Sequence, residues 1–382
     1  MKRYNFDESI NRSLTNSYKW DIKNGEIPYT IADTDFKVAD EIVESIKNRS
    51  EKACYGYTGV PQEYFDAYIY WWKHRHKLDL SSYHFVYSTS VVASIDCIIK
   101  RYSNSGDGIA LFSPNYNVFY NCINNNNRKL LEVPFSYENY EYKIDFELLE
   151  KALKESKIFI FCNPHNPTGH IFSENEIKKI SELCEKYQVL VISDEIHADI
   201  DYNQNRYVPF YRVSEYKNSV MLVSPSKVFN LAGLHSSVIV CKDKSIAEKL
   251  QKSVNEDDIG EPSYFSIDPV ITAFTKCEEY VNEENDYLAE NKRLLTEFCG
   301  KKDLKLHFID CTATYLLWVD ISHYSNESEA FTKALREKTG IVLACGKNYH
   351  EHYSSFVRIN IATQKENIVK LCEGLKTFLK GE

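Results

Sequence analysis

Residues 157–197 read KIFIFCNPHNPTGHIFSENEIKKISELCEKYQVLVISDEIH, two short apolar runs on either side of an amphipathic segment. The runs show little alternation, which is typical of strands buried on both faces of a parallel sheet. Between them, Ser173 and Glu176 have capping-box spacing, followed by an apolar stripe of Ile177, Ile180, Leu183 and Tyr187. The stretch therefore predicts a strand–helix–strand unit.

Similar apolar runs occur on both sides of this unit, at residues 84–90, 108–116 and 219–227. Their alternation with helical segments predicts an α/β fold with helices on both faces of a mostly parallel sheet. After about residue 275 the pattern changes to a long charged helix followed by further strands and helices, as in a smaller α+β unit. We expect three segments: a large domain over 46–275, a small domain over 276–382, and residues 1–45 packing with the small domain.

The composition excludes several classes of protein. The chain has 382 residues, of which 43% are hydrophobic, and a net charge of −9 without a basic block, so we expect no nucleic-acid partner. The eleven cysteines are scattered, without a CxxC pair, so we expect neither a disulfide framework nor a metal site. No run approaches a membrane span and MKRYNFDESI lacks the apolar core of a signal peptide, so we expect a cytoplasmic protein.

Polar residues follow the apolar runs at the point where each run ends. Because the carboxyl ends of parallel strands meet at one edge of a sheet, and ligands bind beyond that edge, we expect these residues to line one crevice. They are Thr89, Ser90, Tyr116, Asn166, Asp194, His197, Ser224, Ser226 and Lys227.

Each of these residues also has an ordinary structural interpretation. A lysine after a strand is usually solvated, and an aspartate that closes a strand is often a helix cap. Asn166, in NPHNPTG, has the chemistry of a turn, and the hydroxyl groups near residue 90 would serve as helix caps. Taken singly, none of the residues identifies a function; their combination and order carry more information.

The segments CNPHNPTG, SDEIH and SPSK, in this order and at these separations, resemble the fold-type I pyridoxal-phosphate enzymes, the aminotransferase class I and II superfamily. The resemblance extends over essentially the whole chain. It implies a large domain with a mostly parallel, seven-stranded-type sheet between helices, a smaller α+β domain formed by both termini, and pyridoxal 5′-phosphate as cofactor.

The resemblance also implies a role for each residue type. Lys227 would hold the cofactor covalently, Asp194 would keep its pyridine nitrogen protonated, and His197 would donate to its phenolate oxygen. Asn166 would bond the same oxygen, and Tyr116 would stack on the ring. The phosphate would lie at the start of the helix that follows YSTS, where free N–H groups favour anions. Its ligands would be Thr89, Ser90, Val91, Ser224 and Ser226.

Three features resemble the MalY/PatB-type branch of cystathionine β-lyases. His235 stands eight residues after Lys227, where a typical aminotransferase has a phosphate-binding arginine. The segment IADTDF resembles the branch's ADMDF, with Thr34 in place of Met, and SDEIHADI and SPSKVFNLAGL match the branch closely. The implied reaction is α,β-elimination of cystathionine or a cysteine-type substrate to a thiol, pyruvate and ammonia.

Two further residues follow from the resemblance. Tyr57, in YGYTG, would reach the phosphate of a neighbouring subunit, which makes the enzyme a homodimer and gives Tyr57, like Tyr116, a possible part in proton transfer. The alternative for Tyr57 is a loop packed on its own chain. Arg358, in FVRINIA, would clamp the substrate carboxylate through a bidentate pair.

Two other functions are compatible with the same residues. An aminotransferase would share every cofactor contact, because the two reactions diverge only after the Cα proton is removed. A regulatory protein that keeps the fold without activity is the second alternative, and the presence of Lys227, Asp194 and Arg358 together argues against it.

Overall fold

The fold is described from a computed structural model that covers residues 3–202 and 207–381. Its strands form a seven-stranded sheet, a five-stranded sheet and a two-stranded ribbon. In chain order they are β1 (Ile27–Tyr29), β2 (His84–Ser88), β3 (Gly108–Ser113), β4 (Lys129–Pro134), β5 (Ser136–Glu138), β6 (Glu141–Lys143), β7 (Ser156–Cys162), β8 (Leu190–Asp194), β9 (Ser219–Val223), β10 (Ser237–Cys241), β11 (His307–Phe308), β12 (Leu316–Asp320), β13 (Ile341–Cys345) and β14 (Phe356–Asn360).

Helices follow most of these strands and cover the sheets. They are α1 (Asp40–Ser50), α2 (Gln62–His76), α3 (Val91–Tyr102), α4 (Asn117–Asn125), α5 (Phe146–Lys154), α6 (Glu174–Lys186), α7 (Phe210–Val213), α8 (Lys244–Glu256), α9 (Ile267–Lys276), α10 (Glu278–Lys301), α11 (Ser328–Thr339) and α12 (Lys365–Lys380). Short 3-10 turns occur at Arg12–Thr15, Ala232–Leu234, Gly346–Tyr349 and Glu351–Tyr353. The capping box that begins α6 is formed as predicted, with both Ser173 and Glu176 bonding back to the chain.

The seven-stranded sheet has the order β2-β10-β9-β8-β7-β3-β4. Six of its strands run in one direction, because β9, β8, β7, β3 and β4 pair in parallel and β2 is antiparallel to β10. The prediction of a mostly parallel sheet between helices is confirmed. The exception is β10, which is antiparallel to both of its neighbours.

Both faces of this sheet are buried. Along β3, Ile109 and Leu111 contact one hydrophobic cluster, whereas Ala110 and Phe112 contact the other. Successive side chains of a strand point to opposite faces, so a strand covered on both sides requires apolar residues at every position. This explains why the runs in the sequence are continuous rather than alternating.

The five-stranded sheet joins the two ends of the chain. Its order is β1-β13-β14-β12-β11, so a strand near the N-terminus pairs with β13 and shares one sheet with four strands from the C-terminal part. The smaller α+β unit formed by both termini is therefore present, while its boundaries at residues 45 and 275 stay predictions. This sheet carries Arg358 on β14, next to the loop that follows β1.

The asparagine-rich run after residue 120 is helical through Asn125, since α4 continues to that residue. In the parts of the chain that the structure describes, no helix is long and apolar enough to cross a membrane.

Candidate active site

One cavity of about 170 Å³ opens at the carboxyl ends of the parallel strands. It lies beyond the ends of β2, β3, β7, β8 and β9, where the sequence predicted a crevice. Ten of the predicted site residues line it: Thr89, Ser90, Val91, Tyr116, Asn166, Asp194, His197, Ser224, Ser226 and Lys227.

Asp194 is the last residue of β8 and is buried at the floor of this cavity. Burial raises the pKa of its carboxyl to about 7, although the N–H of Ile196 and the charge of Lys227 act in the opposite direction. The Ile196 N–H donates to Oδ1 over 3.1 Å. Among the described residues no cation forms a salt bridge with Asp194. A positively charged ligand group in the cavity would therefore stabilise its ionised form.

Lys227 follows β9 and extends into the cavity from the other side. Its Nζ donates to the carbonyl oxygen of Ala32 over 2.8 Å. Burial lowers the pKa of the amine to about 8; Asp33 and Asp194 raise it and Arg358 lowers it further. An amine with a lowered pKa is the form needed for covalent attachment to a carbonyl group and for proton abstraction.

His197 lies three residues after Asp194 and is also buried. Burial, with the charges of Lys227 and Arg358, holds the pKa of its imidazole well below the ordinary value. Its Nδ1 has no hydrogen-bond partner within the described parts of the chain. A neutral imidazole carries one donor and one acceptor nitrogen, so His197 can donate to an anionic oxygen in the cavity.

The start of α3 forms the opposite end of the cavity. Ser90 is the N-cap, and its hydroxyl accepts from the N–H of Ala93 over 3.1 Å. The capping interpretation of this serine is therefore correct, and the helix start still presents N–H groups and a positive dipole end toward the cavity. Ser224 donates its hydroxyl to the carbonyl of Ser236 over 2.7 Å and accepts from the N–H of Ser226 over 3.2 Å.

Arg358 reaches the cavity through Asn166. One guanidinium nitrogen donates to Oδ1 of Asn166 over 3.2 Å, and another donates to the carbonyl of Thr30 over 2.7 Å. The guanidinium carbon lies 5.0 Å from the ring centroid of Tyr349, so the cation also rests on an aromatic face. Arg358 Nε is buried without a partner among the described residues, which leaves donor capacity for a carboxylate.

Two residues singled out in the sequence lie away from the cavity of their own chain. Tyr57 is 99% exposed, so the loop does not pack Tyr57 on its own core. Its expected position beside a neighbouring subunit's phosphate stays a prediction. His235 adopts a left-handed conformation at the end of a 3-10 turn, and its carbonyl accepts from the hydroxyl of Tyr87 over 2.8 Å.

The sequence reasoning missed several lining residues, of which Ala32 has the clearest contact. Its carbonyl accepts both Lys227 Nζ and, over 3.1 Å, the hydroxyl of Tyr315. The sequence carries a signal for this residue, because Ala32 lies in IADTDF, the segment that resembles the branch's ADMDF. The other missed residues are mostly apolar and carry no chemical signature: Val92, Phe119, Cys162, Ile196, Ala232 and Ser236.

The chemistry of this residue set fits pyridoxal phosphate. Within the described residues Asp194 forms no salt bridge and His197 Nδ1 has no hydrogen-bond partner, while Lys227 supplies an amine and the start of α3 suits a phosphate. These are complementary to a pyridinium nitrogen, a phenolate oxygen, an aldehyde and a phosphate. By contrast, the described residues contain no cluster of histidine, cysteine or carboxylate side chains arranged to hold a metal ion.

Several known proteins are similar to this chain over nearly its whole length. Cystathionine β-lyase PatB of Bacillus subtilis (strain 168) is 30% identical, with 97% of this chain and 98% of that protein aligned. Among solved structures, the pyridoxal-phosphate-bound C–S lyase of Staphylococcus hominis has a TM-score of 0.92 at 30% identity, covering 98% of each chain. Cystalysin of Treponema denticola, which contains a pyridoxal 5′-phosphate cofactor, has a TM-score of 0.95 at 27% identity, covering 99% of each chain. Residues 25–375 match the family described as aminotransferase class I and II, and the chain belongs to that family.

Proposed function

We propose that this chain is a pyridoxal-phosphate-dependent carbon–sulfur β-lyase acting on cystathionine or a related cysteine thioether. The observation that carries the cofactor part of the proposal is that Lys227, Asp194 and neutral His197 lie in one cavity, an arrangement that an aminotransferase would share. Relatives that are named as cystathionine β-lyase and C–S lyase support elimination over other reactions of the family. His235, in place of an arginine, supports the same choice.

The residues of the chain would divide the work between binding and proton transfer. Asp194, His197 and Asn166 hold the cofactor ring, while α3 and the nearby hydroxyl groups hold its phosphate. When bound, pyridoxal phosphate supplies an electron-withdrawing ring that makes the Cα–H of an amino acid acidic. Arg358 pairs with the substrate carboxylate and fixes the orientation of the Cα–H bond.

Lys227 is the base in this scheme. Burial lowers its pKa to about 8, so a useful fraction of the amine is unprotonated near neutral pH and accepts the Cα proton. The Cβ–S bond then breaks and the sulfur leaves as a thiol. Addition of water to the remaining three-carbon fragment yields pyruvate and ammonia. One water is consumed for each thiol, pyruvate and ammonia released.

The competing candidate is an aminotransferase, with which the family match is equally compatible. The test supplies purified holoprotein with cystathionine and no keto acid, and measures pyruvate and thiol. We expect the two products in equal amounts. Strict dependence on an added keto acid would mean transamination, and the absence of both reactions would contradict an active enzyme.

A matched pair of lysine variants controls this assay. Lys227→Ala should abolish both pyruvate release and the visible absorbance of the lysine-bound cofactor. Lys242→Ala removes another lysine whose side chain is 6% exposed but which bonds Ser214 and Glu215 away from the cavity. We expect that variant to keep the absorbance and the activity.

We also propose that the active form is a cytoplasmic homodimer in which Tyr57 of one subunit completes the site of the other. The full exposure of Tyr57 supports this role, as does the 57% exposure of Tyr55 beside it. All eleven cysteines are free thiols, which suits a reducing compartment.

Mixed dimers test the shared site directly. Tyr57→Ala and Lys227→Ala homodimers should both be weakly active or inactive. Mixing them yields dimers in which one site has its own Lys227 and receives Tyr57 from the other subunit, so activity should return. Failure of the mixture to recover activity, with subunit exchange verified by mass spectrometry, would contradict the shared site.

A further inference from the structure

The loop formed by residues 30–35 holds two cations of the site by its backbone. The carbonyl of Ala32 accepts Lys227 Nζ over 2.8 Å, and the carbonyl of Thr30 accepts Arg358 over 2.7 Å. The side chain of Asn230 bonds both the N–H and the carbonyl of Thr34, over 3.3 and 3.0 Å. The position of this loop therefore sets the position of the groups that would bind cofactor and substrate.

A second set of contacts holds the loop from outside. Arg12 donates to both carboxylate oxygens of Asp33, over 3.1 and 2.8 Å, to the carbonyl of Thr34 over 2.8 Å, and to Asp35 over 2.9 Å. Lys19, whose side chain is fully buried, lies 2.9 Å from the other oxygen of Asp35. We call Arg12 and Lys19 the N-terminal clasp. Neither residue lines the cavity, so the clasp acts on the site only through the loop.

The charges of the clasp and the loop balance, two cations against two carboxylates. Asp33 is adjacent to Ala32 and is one of three charged groups that act on the Lys227 amine. Asp33 and Asp194 favour the protonated amine, and Arg358 favours the neutral one. Arg12 neutralises Asp33 through a bidentate pair, which limits the field that Asp33 exerts on Lys227.

We propose that Arg12 is a positioning residue that acts through Asp33 to hold the 30–35 loop and to set the protonation of Lys227. The proposal rests on the proposed function, because it takes Lys227 as the residue that carries the cofactor. Arg12 would thus influence the reaction although it lies in an N-terminal segment outside the cavity. Arg12 touches neither cofactor nor substrate, so its effect must appear in the titration of Lys227.

In the holoprotein the Lys227 nitrogen is bonded to the cofactor, and the test follows the visible absorbance, which changes as that nitrogen gains or loses its proton with pH. Arg12→Met removes the bidentate partner of Asp33 and leaves only the longer ion pair with Lys19, at 3.8 Å, so the midpoint of the absorbance change should rise by about half a pH unit or more. Asp33→Asn removes that charge, while Arg12 keeps its ion pair with Asp35, so the midpoint should fall by a similar amount. Opposite shifts are the signature of the electrostatic role, since loosening of the loop alone would move both variants in the same direction.

Two more variants control the comparison. Arg336→Met breaks a bidentate pair with Glu26, at 2.8 and 2.7 Å, that lies outside the cavity, and should leave the midpoint unchanged. Arg12→Lys keeps the charge but loses the fork and should keep the midpoint close to that of the wild type. If Arg12→Met does not fold, Asp33→Asn still tests whether the midpoint falls when the charge of Asp33 is removed, and Arg12→Lys serves as the variant that keeps the charge of Arg12.

The results distinguish a failure of the proposed function from a failure of the role proposed for Arg12. A wild-type protein without any visible band would overturn the proposed function and this proposal with it. A normal band with midpoints that stay unchanged in Arg12→Met and Asp33→Asn, or that shift in the same direction, would overturn this proposal alone.

Discussion

Ionisation of the buried Asp194 carboxyl destabilises the folded protein, and this loss of folding free energy can be measured in the apoprotein. Burial raises the pKa of its carboxyl from an ordinary 3.8 to about 7. The folded protein therefore binds the proton more tightly than the unfolded chain does. This contribution to stability is fully present below about pH 4 and is lost as the pH rises through about 7.

The magnitude follows from the shift. At about 1.4 kcal/mol per pKa unit, the full loss above pH 7 is on the order of 4 kcal/mol. Between about pH 5 and pH 8, the part that changes is about 2.5 kcal/mol. Asp194→Asn removes this titration. The free energy of unfolding of the variant minus that of the wild type should therefore rise by about 2.5 kcal/mol over this interval.

The comparison uses urea unfolding of the two apoproteins at both pH values and at one protein concentration. Constant effects of the asparagine, such as a buried amide without a partner, cancel between the two pH values. Glu195, whose pKa burial raises to about 8, is present in both proteins and cancels to first order. A difference that is the same at both pH values would refute the reasoning.

Asp199 is the matched control, five residues further along the chain and also buried. Burial would raise the pKa of its carboxyl, but His76 at 2.8 Å and Arg75 at 3.2 Å lower it overall. The carboxylate therefore stabilises the fold above the ordinary pKa, and that contribution is lost only in acid. Asp199→Asn should destabilise the apoprotein at both pH values, because His76, Arg75 and Trp71 lose their carboxylate partner.

Three further predictions follow. Arg358→Lys should raise KM about tenfold or more and change kcat less in steady-state kinetics, because an ammonium cannot make the bidentate pair; an unchanged KM would contradict the carboxylate role. Ser173→Ala should lower the free energy of unfolding by about 1 kcal/mol in urea titration, because it removes the N-cap of α6, and equal stability would contradict the cap. Burial raises the pKa of Glu284 well above its ordinary value, so Glu284→Gln should gain stability relative to the wild type as the pH rises, and a pH-independent difference would contradict this.

Much of the site could be predicted because its residues follow buried strands directly. The end of each apolar run marks the carboxyl edge of the sheet, so Asp194 after β8 and Lys227 after β9 were placed at that edge by pattern alone. These two residues lie close together in the folded chain because their strands are parallel, and six of the seven strands of the sheet run in the same direction. The roles of these residues came from the family resemblance and remain predictions.

The rest depends on contacts between distant parts of the chain or between chains. The antiparallel direction of β10 could not be predicted, because a buried apolar strand carries no sign of its direction. The contact between Ala32 and Lys227 spans 195 positions and uses a backbone carbonyl, so it cannot be predicted from the types of the two residues. Tyr57 has no position to predict within one chain, because its expected partner is a second copy.

The central claim, that Lys227 holds pyridoxal phosphate in this cavity, can be tested by one mapping experiment. Borohydride reduction of the holoprotein makes the bond between cofactor and lysine permanent, and digestion followed by mass spectrometry locates it. The account predicts the added mass on the peptide that contains Lys227 and on no other lysine peptide. Modification of a different lysine, or a fully loaded protein with unmodified Lys227, would contradict it.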